Sequence, residues 1–418
     1  MRFREKAKPN DERPLRILMV APTSFFNDYG GHIRILEEAR TLQQLGHQVT
    51  IITYYKGNDV GGMDIRRTPA LPWRADYEVG SSRHKLAFDM ALFATCLWQG
   101  FKIKPDIVHG HMHEGTLIGS ALARLLHIPL VMDFQGSLVG EMVDHGFLNP
   151  RGRFFRWVRR VEKFICELPD AILTSSLQAR TLLVEGFGVS PERIHPLPDC
   201  VDTHSFDPQR FTLEEKLALR NNLGIPIARP IVAYLGLLAE YQGTSHLIEA
   251  AAAIKKAGIE AHFLIMGFPG QDHYKILAEK LGVSDRVTIT GRIAYPDAPL
   301  YLSLGAVAVS PKMSLTEGSG KVLNYMAMGL PTIVYDSPVH REYLADLGVY
   351  VPSGDVTALA EEIGESLLRT DGSKDLGVKL RERASRKYSW IKAGETILNL
   401  YRNLSDPDDQ RPGLSIVQ

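Results

Sequence analysis

Short apolar runs recur along this chain, and most are continuous rather than alternating. In the first half they are Leu15–Val20, Gln48–Thr53, Asp106–His109, Pro129–Asp133 and Asp170–Thr174. In the second they are Ile231–Gly236, His262–Met266, Arg286–Thr290, Ala306–Ser310, Pro331–Tyr335 and Val349–Val351. A run apolar at nearly every position predicts a strand buried on both faces, the habit of parallel sheets covered by helices. Helical periodicity fills the gaps, over Gly31–Leu45, Gly115–Leu126, Ser245–Lys256 and Lys321–Met328. Strands and helices in alternation predict an α/β fold with parallel sheets.

The pattern starts twice. LRILMVAPTSFFNDYGG and PIVAYLGLLAEYQG each run strand, loop, glycine, helix. Between the halves, IHPLPDCVDTHSFDPQRF is rich in Pro and Asp and reads as a linker. Two Rossmann-like domains are expected, residues 1–204 and 205–388, with their parallel sheets facing across a cleft. In such sheets ligands sit beyond the C-terminal strand ends, where helix N-termini favour an anion. The cleft therefore suits a phosphorylated ligand on one side and its reaction partner on the other.

A length of 418 residues agrees with two domains. Lys plus Arg and Asp plus Glu both number 48, and zero net charge argues against a nucleic-acid partner. Cys96, Cys166 and Cys200 have no CxxC spacing. This excludes a disulfide framework or standard zinc site and points to a reducing, cytoplasmic compartment. The charged start MRFREKAKPNDERP reads as a frayed tail, not a secretory signal. Leu86–Trp98, the longest apolar stretch, is interrupted by Asp89 and too short to span a bilayer. The segment 151–164, RGRFFRWVRRVEKF, is basic and aromatic. On a helix it either rests on anionic lipid, a peripheral seat on the inner face of the membrane, or packs Phe155, Val158 and Phe164 on the core with its arginines in solvent.

Candidate chemistry gathers at two places. Gly30-Gly31, after Tyr29, either lets backbone approach a phosphate or sugar or merely caps a helix. Downstream, SPKMSLTEGSGKVLNYMAMGLPTIVYD carries Gly318, Ser319 and Gly320 before a helix. That helix N-terminus, with Lys312 and Lys321, would hold a diphosphate without a metal. Glu317 would accept hydrogen bonds from sugar hydroxyls, and Asn324 would reach a ribose. In HGHMHEG, residues 109–115, three alternate histidines would share one side of a strand end. Lacking an accompanying carboxylate pattern, they read as a sheet-end cluster and not a metal centre.

Taken in order, these segments resemble the retaining glycosyltransferases of family 4, which have the GT-B architecture. GGHIRILEEARTLQQLGHQVTIIT resembles the family's opening Gly-Gly helix and next strand, and PDIVHGH its Asp-x-x-His-x-His segment. LPDCVDTHSF resembles its linker motif, TEGSGKVLNYMAMGLPTIV its donor loop and helix, and YSWIKAGETILNLYRNL its final helix. The resemblance implies transfer of a sugar from a UDP- or GDP-linked donor to a glycan or lipid-linked acceptor, with retention and no cofactor or metal. It places the nucleotide in the second domain and the acceptor in the first, and returns residues 389–418 to the first domain. Glu317 would act at the donor sugar, with Gln135 and His111 on the acceptor side. Gly30, Gly31, Lys312, Gly318, Ser319, Gly320, Lys321 and Asn324 would bind the donor.

The chain also departs from the family. Asn324 stands where a second Glu is usual. Gly236-Leu237 and Gln242-Gly243 replace Gly-Arg and Lys-Gly, and Gln135 replaces a His. Two cations are lost, so Lys321, Lys312 or Arg292 must balance the diphosphate together with the helix dipole. A divergent transferase fits these changes, and so does a non-catalytic nucleotide- or glycan-binding protein that keeps the fold.

Overall fold

The apolar runs fold into two parallel sheets in a computed structural model, which describes residues 13–27, 30–70, 85–144, 147–314, 318–369 and 373–405. The expected tail before residue 13, Tyr29, Glu317 and everything after residue 405 lie outside the described residues. The first sheet holds β1 (Arg16–Ala21), β2 (Gln48–Thr53), β3 (Asp64–Arg67), β4 (Ile107–His111), β5 (Leu130–Phe134), β6 (Ala171–Thr174) and β7 (Ile194–Pro196). Its order is β3-β2-β1-β4-β5-β6-β7. The second holds β8 (Ile231–Leu235), β9 (His262–Met266), β10 (Val287–Gly291), β11 (Val307–Ser310), β12 (Thr332–Tyr335) and β13 (Val349–Val351), in the order β10-β9-β8-β11-β12-β13. Both orders reverse beside their first strand. Each sheet thus has a switch point, at β1/β4 and β8/β11, where a ligand crevice opens beyond the strand ends.

Alternate residues of one strand enter different cores, which is why the runs are unbroken. Ile17, Met19 and Ala21 pack on one face of β1, Leu18 and Val20 on the other. The last helix, Trp390–Ser405, leaves the second sheet and lies on helix Gly30–Gln44 of the first. Trp390, Ile397 and Tyr401 complete that core. A Cβ on Gly394 would overlap Thr41, so glycine sets the closeness of the two helices. The chain crosses between the sheets at two neighbouring points, joined by a parallel bridge from Val201 to Ser389.

Three local expectations need correction. β3, with the sequence DIRR, has no apolar run because it is a half-exposed edge strand. β7 falls inside the segment read as linker, where Ile194 is its one buried residue. β4 runs on through His111, and the next helix starts at Met112 rather than Gly115. His109 and His111 therefore share one side of the strand, while His113 enters the helix and faces Glu162 and Cys166 instead.

Candidate functional site

The helix starts that follow β1 and β4 and the loops that follow β8 and β11 converge on one cleft between the sheets, with a volume of about 360 Å³. That is room for a small-molecule ligand. Gly30, Gly31 and Met112 line it from the first sheet, and Gly236, Leu237 and Lys312 from the second. Gly318, Ser319, Gly320, Lys321, Asn324 and Gln135 reach it as well. Gly30, Gly31, Lys312, Gly318, Ser319, Gly320, Lys321 and Asn324, expected at the donor, all line the cleft, whereas Arg292 does not and Glu317 is outside the described residues.

The wall on the side of the second sheet is built around helix Gly320–Ala327. The Lys321 ammonium donates to Gln242 Oε1 at 2.7 Å and Tyr234 Oη at 3.1 Å, and lies 4.5 Å from the Tyr234 ring centroid. A Cβ on Gly236 would come within 2.6 Å of Nζ. The ammonium thus stands against positions 236 and 242, beside the places where two basic side chains are missing. Lys312 is buried, and its Nζ donates to the Gly318 carbonyl at 2.7 Å, tying down the glycine-rich turn. Ser319 is buried too and donates to His340 Nε2 at 3.1 Å. Because the Tyr335 carbonyl can only accept, His340 carries its proton on Nδ1. Burial, with Lys312 and Lys321 nearby, lowers the His340 pKa to about 4, so the ring is neutral at pH 7.

The opposite wall rests on Asp133 at the end of β5. Its carboxylate accepts from Arg34 Nη2 at 2.8 Å, His111 Nδ1 at 3.1 Å and Gln135 Nε2 at 2.8 Å. Burial favours the neutral acid, but Arg34 and the His111 hydrogen bond overcome it and hold Asp133 below the usual carboxylate range. An ionised Asp133 fixes the Gln135 amide. Nε2 faces inward, and Oε1 lies where a Cβ on Gly31 would come within 2.9 Å. Gln135 therefore offers the cleft an acceptor suited to a hydroxyl. His111, which shares Asp133 with Gln135, is fully buried and does not line the cleft, which corrects its expected acceptor-side contact. Arg292 Nη1, expected near the diphosphate, donates to Asn27 Oδ1 at 3.2 Å, its guanidinium 4.1 Å from the Phe268 ring centroid.

Beneath this wall, Glu38, His109 and His111 bring ligand atoms within 4.8 Å of one another. Nε2 of both histidines and both Glu38 oxygens are buried without a hydrogen-bond partner. The site is fully buried. Its atoms are also of the kind that bind a divalent ion. However, Arg34 Nε stands 3.1 Å from Glu38 Oε1 and repels a cation. Burial and the Asp133 charge raise the Glu38 pKa well above normal despite Arg34.

Sequence reasoning missed Arg34, Asp133 and Asp199, whose Oδ1 is 3.2 Å from Arg34 Nη1 at the linker. Asp133 had a visible signal, a lone charge closing the apolar run LVMDF. Arg34 had none, since a buried arginine in a helix reads like a solvated one.

Residues 30–205 match the family profile described as Glycosyltransferase Family 4, and residues 215–387 the profile described as Glycosyl transferases group 1. Alpha-D-kanosaminyltransferase of Streptomyces kanamyceticus is 28% identical over 68% of this chain and 72% of its own length. D-inositol 3-phosphate glycosyltransferase of Xylanimonas cellulosilytica is 26% identical over 90% of this chain and 92% of its own. Among solved structures, sucrose-phosphate synthase of Thermosynechococcus elongatus superposes with a TM-score of 0.78 at 20% identity, covering 93% of this chain and 99% of that one. Anabaena HepE in complex with UDP and glucose gives 0.76 at 16% identity, covering 93% and 100%.

Proposed function

We propose, for a chain that belongs to glycosyltransferase family 4 and has the GT-B architecture, a retaining transfer of a sugar from a UDP- or GDP-linked donor to a glycan or lipid-linked acceptor without a metal. One observation carries this reading: the Lys321 ammonium, held against Gln242 and Tyr234 beside a helix N-terminus, in a cleft between two switch points. A protein cation there takes the place of a metal at the departing diphosphate.

The residues then divide the work. Lys321 and the backbone at Gly318–Gly320 bind the diphosphate, Asn324 the ribose and Glu317 the donor sugar. Gly30-Gly31 lets the first domain approach the phosphate or sugar closely. Gln135 Oε1, aimed by Asp133, accepts a sugar hydroxyl. The leaving phosphate takes the acceptor's proton on the same face, so the protein supplies position and charge rather than a base. Free thiols at Cys96, Cys166 and Cys200 suit a cytoplasmic setting. The domains are assigned as 1–204 with 389–418, and 205–388.

The test is a thermal-shift screen of nucleotide sugars, followed by proton NMR of the product. A bound donor raises Tm. Stabilisation by one nucleotide diphosphate sugar, and an axial-to-axial product anomer from an α-linked donor, are expected. If no nucleotide diphosphate sugar shifts Tm, the donor assignment fails. Stabilisation without turnover on any acceptor points to the non-catalytic binder.

A further inference from the structure

More than half of the large apolar side chains exposed among the described residues lie on three helices of the first domain. These are Lys85–Ile103, Met112–Leu126 and Arg153–Glu167, and the middle one packs against both others. Helix Lys85–Ile103 is apolar on two opposite faces. Phe88, Leu92 and Cys96 enter the core, while Leu86, Met90 and Phe93 recur at helical spacing on the outside, 71%, 68% and 40% exposed. A surface helix normally turns a polar face outward, so a second apolar stripe calls for an occupant.

Helix Arg153–Glu167 says what the occupant is. Glu162, Ile165 and Cys166 face inward. Phe154, Trp157 and Phe164 form an outer band, 61%, 63% and 54% exposed. Beside that band stand Arg153, Arg156, Arg159, Arg160 and Lys163, all exposed, against Glu167 as the one exposed acid of the helix. The chain as a whole has a formal net charge of zero, so this concentration of positive charge is local. Aromatic residues flanked by arginines on a helix lying flat match the apolar and anionic layers of a phospholipid surface. No helix among the described residues is long and apolar enough to cross the membrane.

The face is also wired to the cleft. Glu162 accepts from the backbone N–H of Leu138 at 2.9 Å and of Val139 at 3.3 Å. That helix, Leu138–Asp144, carries Glu141 in the cleft wall, and helix Met112–Leu126 begins there with Met112. We propose that the three helices form one platform that seats the first domain on an anionic bilayer and brings the head group of a lipid-linked acceptor to the cleft. This rests on the transferase reading above and selects the lipid-linked acceptor over a free glycan.

Flotation of the full chain with phosphatidylcholine vesicles, with and without phosphatidylglycerol, tests it. Binding to the anionic vesicles alone, weakened in high salt, is expected. Arg156→Glu with Arg160→Glu should cut vesicle binding by about 25-fold or more, at roughly fivefold per basic residue lost. Met90→Asp with Phe93→Asp should reduce it too, although neither residue is on helix Arg153–Glu167. Both pairs are exposed, so Tm and nucleotide binding should hold. Equal binding to neutral and anionic vesicles, no binding at all, or a salt-stable dimer that covers the face would overturn the platform. Nucleotide binding measured on the same sample separates the two readings: its loss alone refutes the transferase assignment, and its presence without vesicle binding refutes only the platform.

Discussion

Replacing Lys321 with Met tests the donor wall directly. The substitution keeps an unbranched apolar stem against Tyr234 and removes the ammonium, its charge together with its N–H donors. A charge-assisted hydrogen bond contributes about 1.5–3 kcal/mol, and each 1.4 kcal/mol is roughly a factor of ten. Diphosphate affinity should therefore fall by about 10- to 140-fold, because Leu237 and Gln242 carry no charge and Lys312 is engaged by the Gly318 carbonyl. Folding should lose less. Gln242 Oε1 loses the donor now 2.7 Å away, a cost of about 1 kcal/mol where water can enter. Calorimetric titration of the wild type and variant with the nucleoside diphosphate that stabilises the wild type measures the first quantity, and thermal unfolding without ligand the second. An affinity within threefold of wild type would remove Lys321 from the phosphate site. A collapse in Tm with unchanged affinity would recast it as a structural lysine.

Other outcomes follow from the same geometry. Arg34→Met should destabilise the protein by about 3–5 kcal/mol, because Asp133 would remain buried and ionised with its main counter-charge gone; denaturant titration checks it. Gly243→Ala should lower Tm by several degrees, since φ is +73° and a Cβ would overlap the Pro311 carbonyl; unchanged melting would contradict the contact. For His340 the folded pKa, about 4, is below the unfolded value of 6.5, so the unfolded state binds more protons between them. Its contribution, about 3 kcal/mol, is complete above pH 6.5 and drains away as pH falls toward 4. His340→Gln should flatten the fall of Tm over that window. Turnover should survive exhaustive chelation with EDTA; a loss restored by a divalent ion would refute metal-free transfer.

The sheets were legible because burial on both faces forces unbroken apolar runs, as in LRILMV and PIVAYL. Edge strands escape that rule: DIRR in β3 and IHP in β7 carry little of the pattern because solvent covers part of them. The glycines at the cleft wall were legible because glycine beside a helix start has a physical purpose that survives in one dimension. The Asp133 hub was not. Its partners Arg34, His111 and Gln135 come from different elements, and only the folded chain shows that all three converge on one carboxylate. The two missing cations looked like a defect in the sequence. In space, Lys321 from another helix reaches the gap they leave.

The paired crossings at Val201 and Ser389 restrict how the halves can move. Two strands of chain stitched at one spot act as a pin: a swing about it keeps the Val201 N–H on the Tyr388 carbonyl at 2.8 Å but must part Arg292 from Asn27 across the cleft, whereas sliding must tear the pin itself. An opening of the cleft that spared this pin would be a swing about it, widest at the rim far from it, with the two halves kept in register.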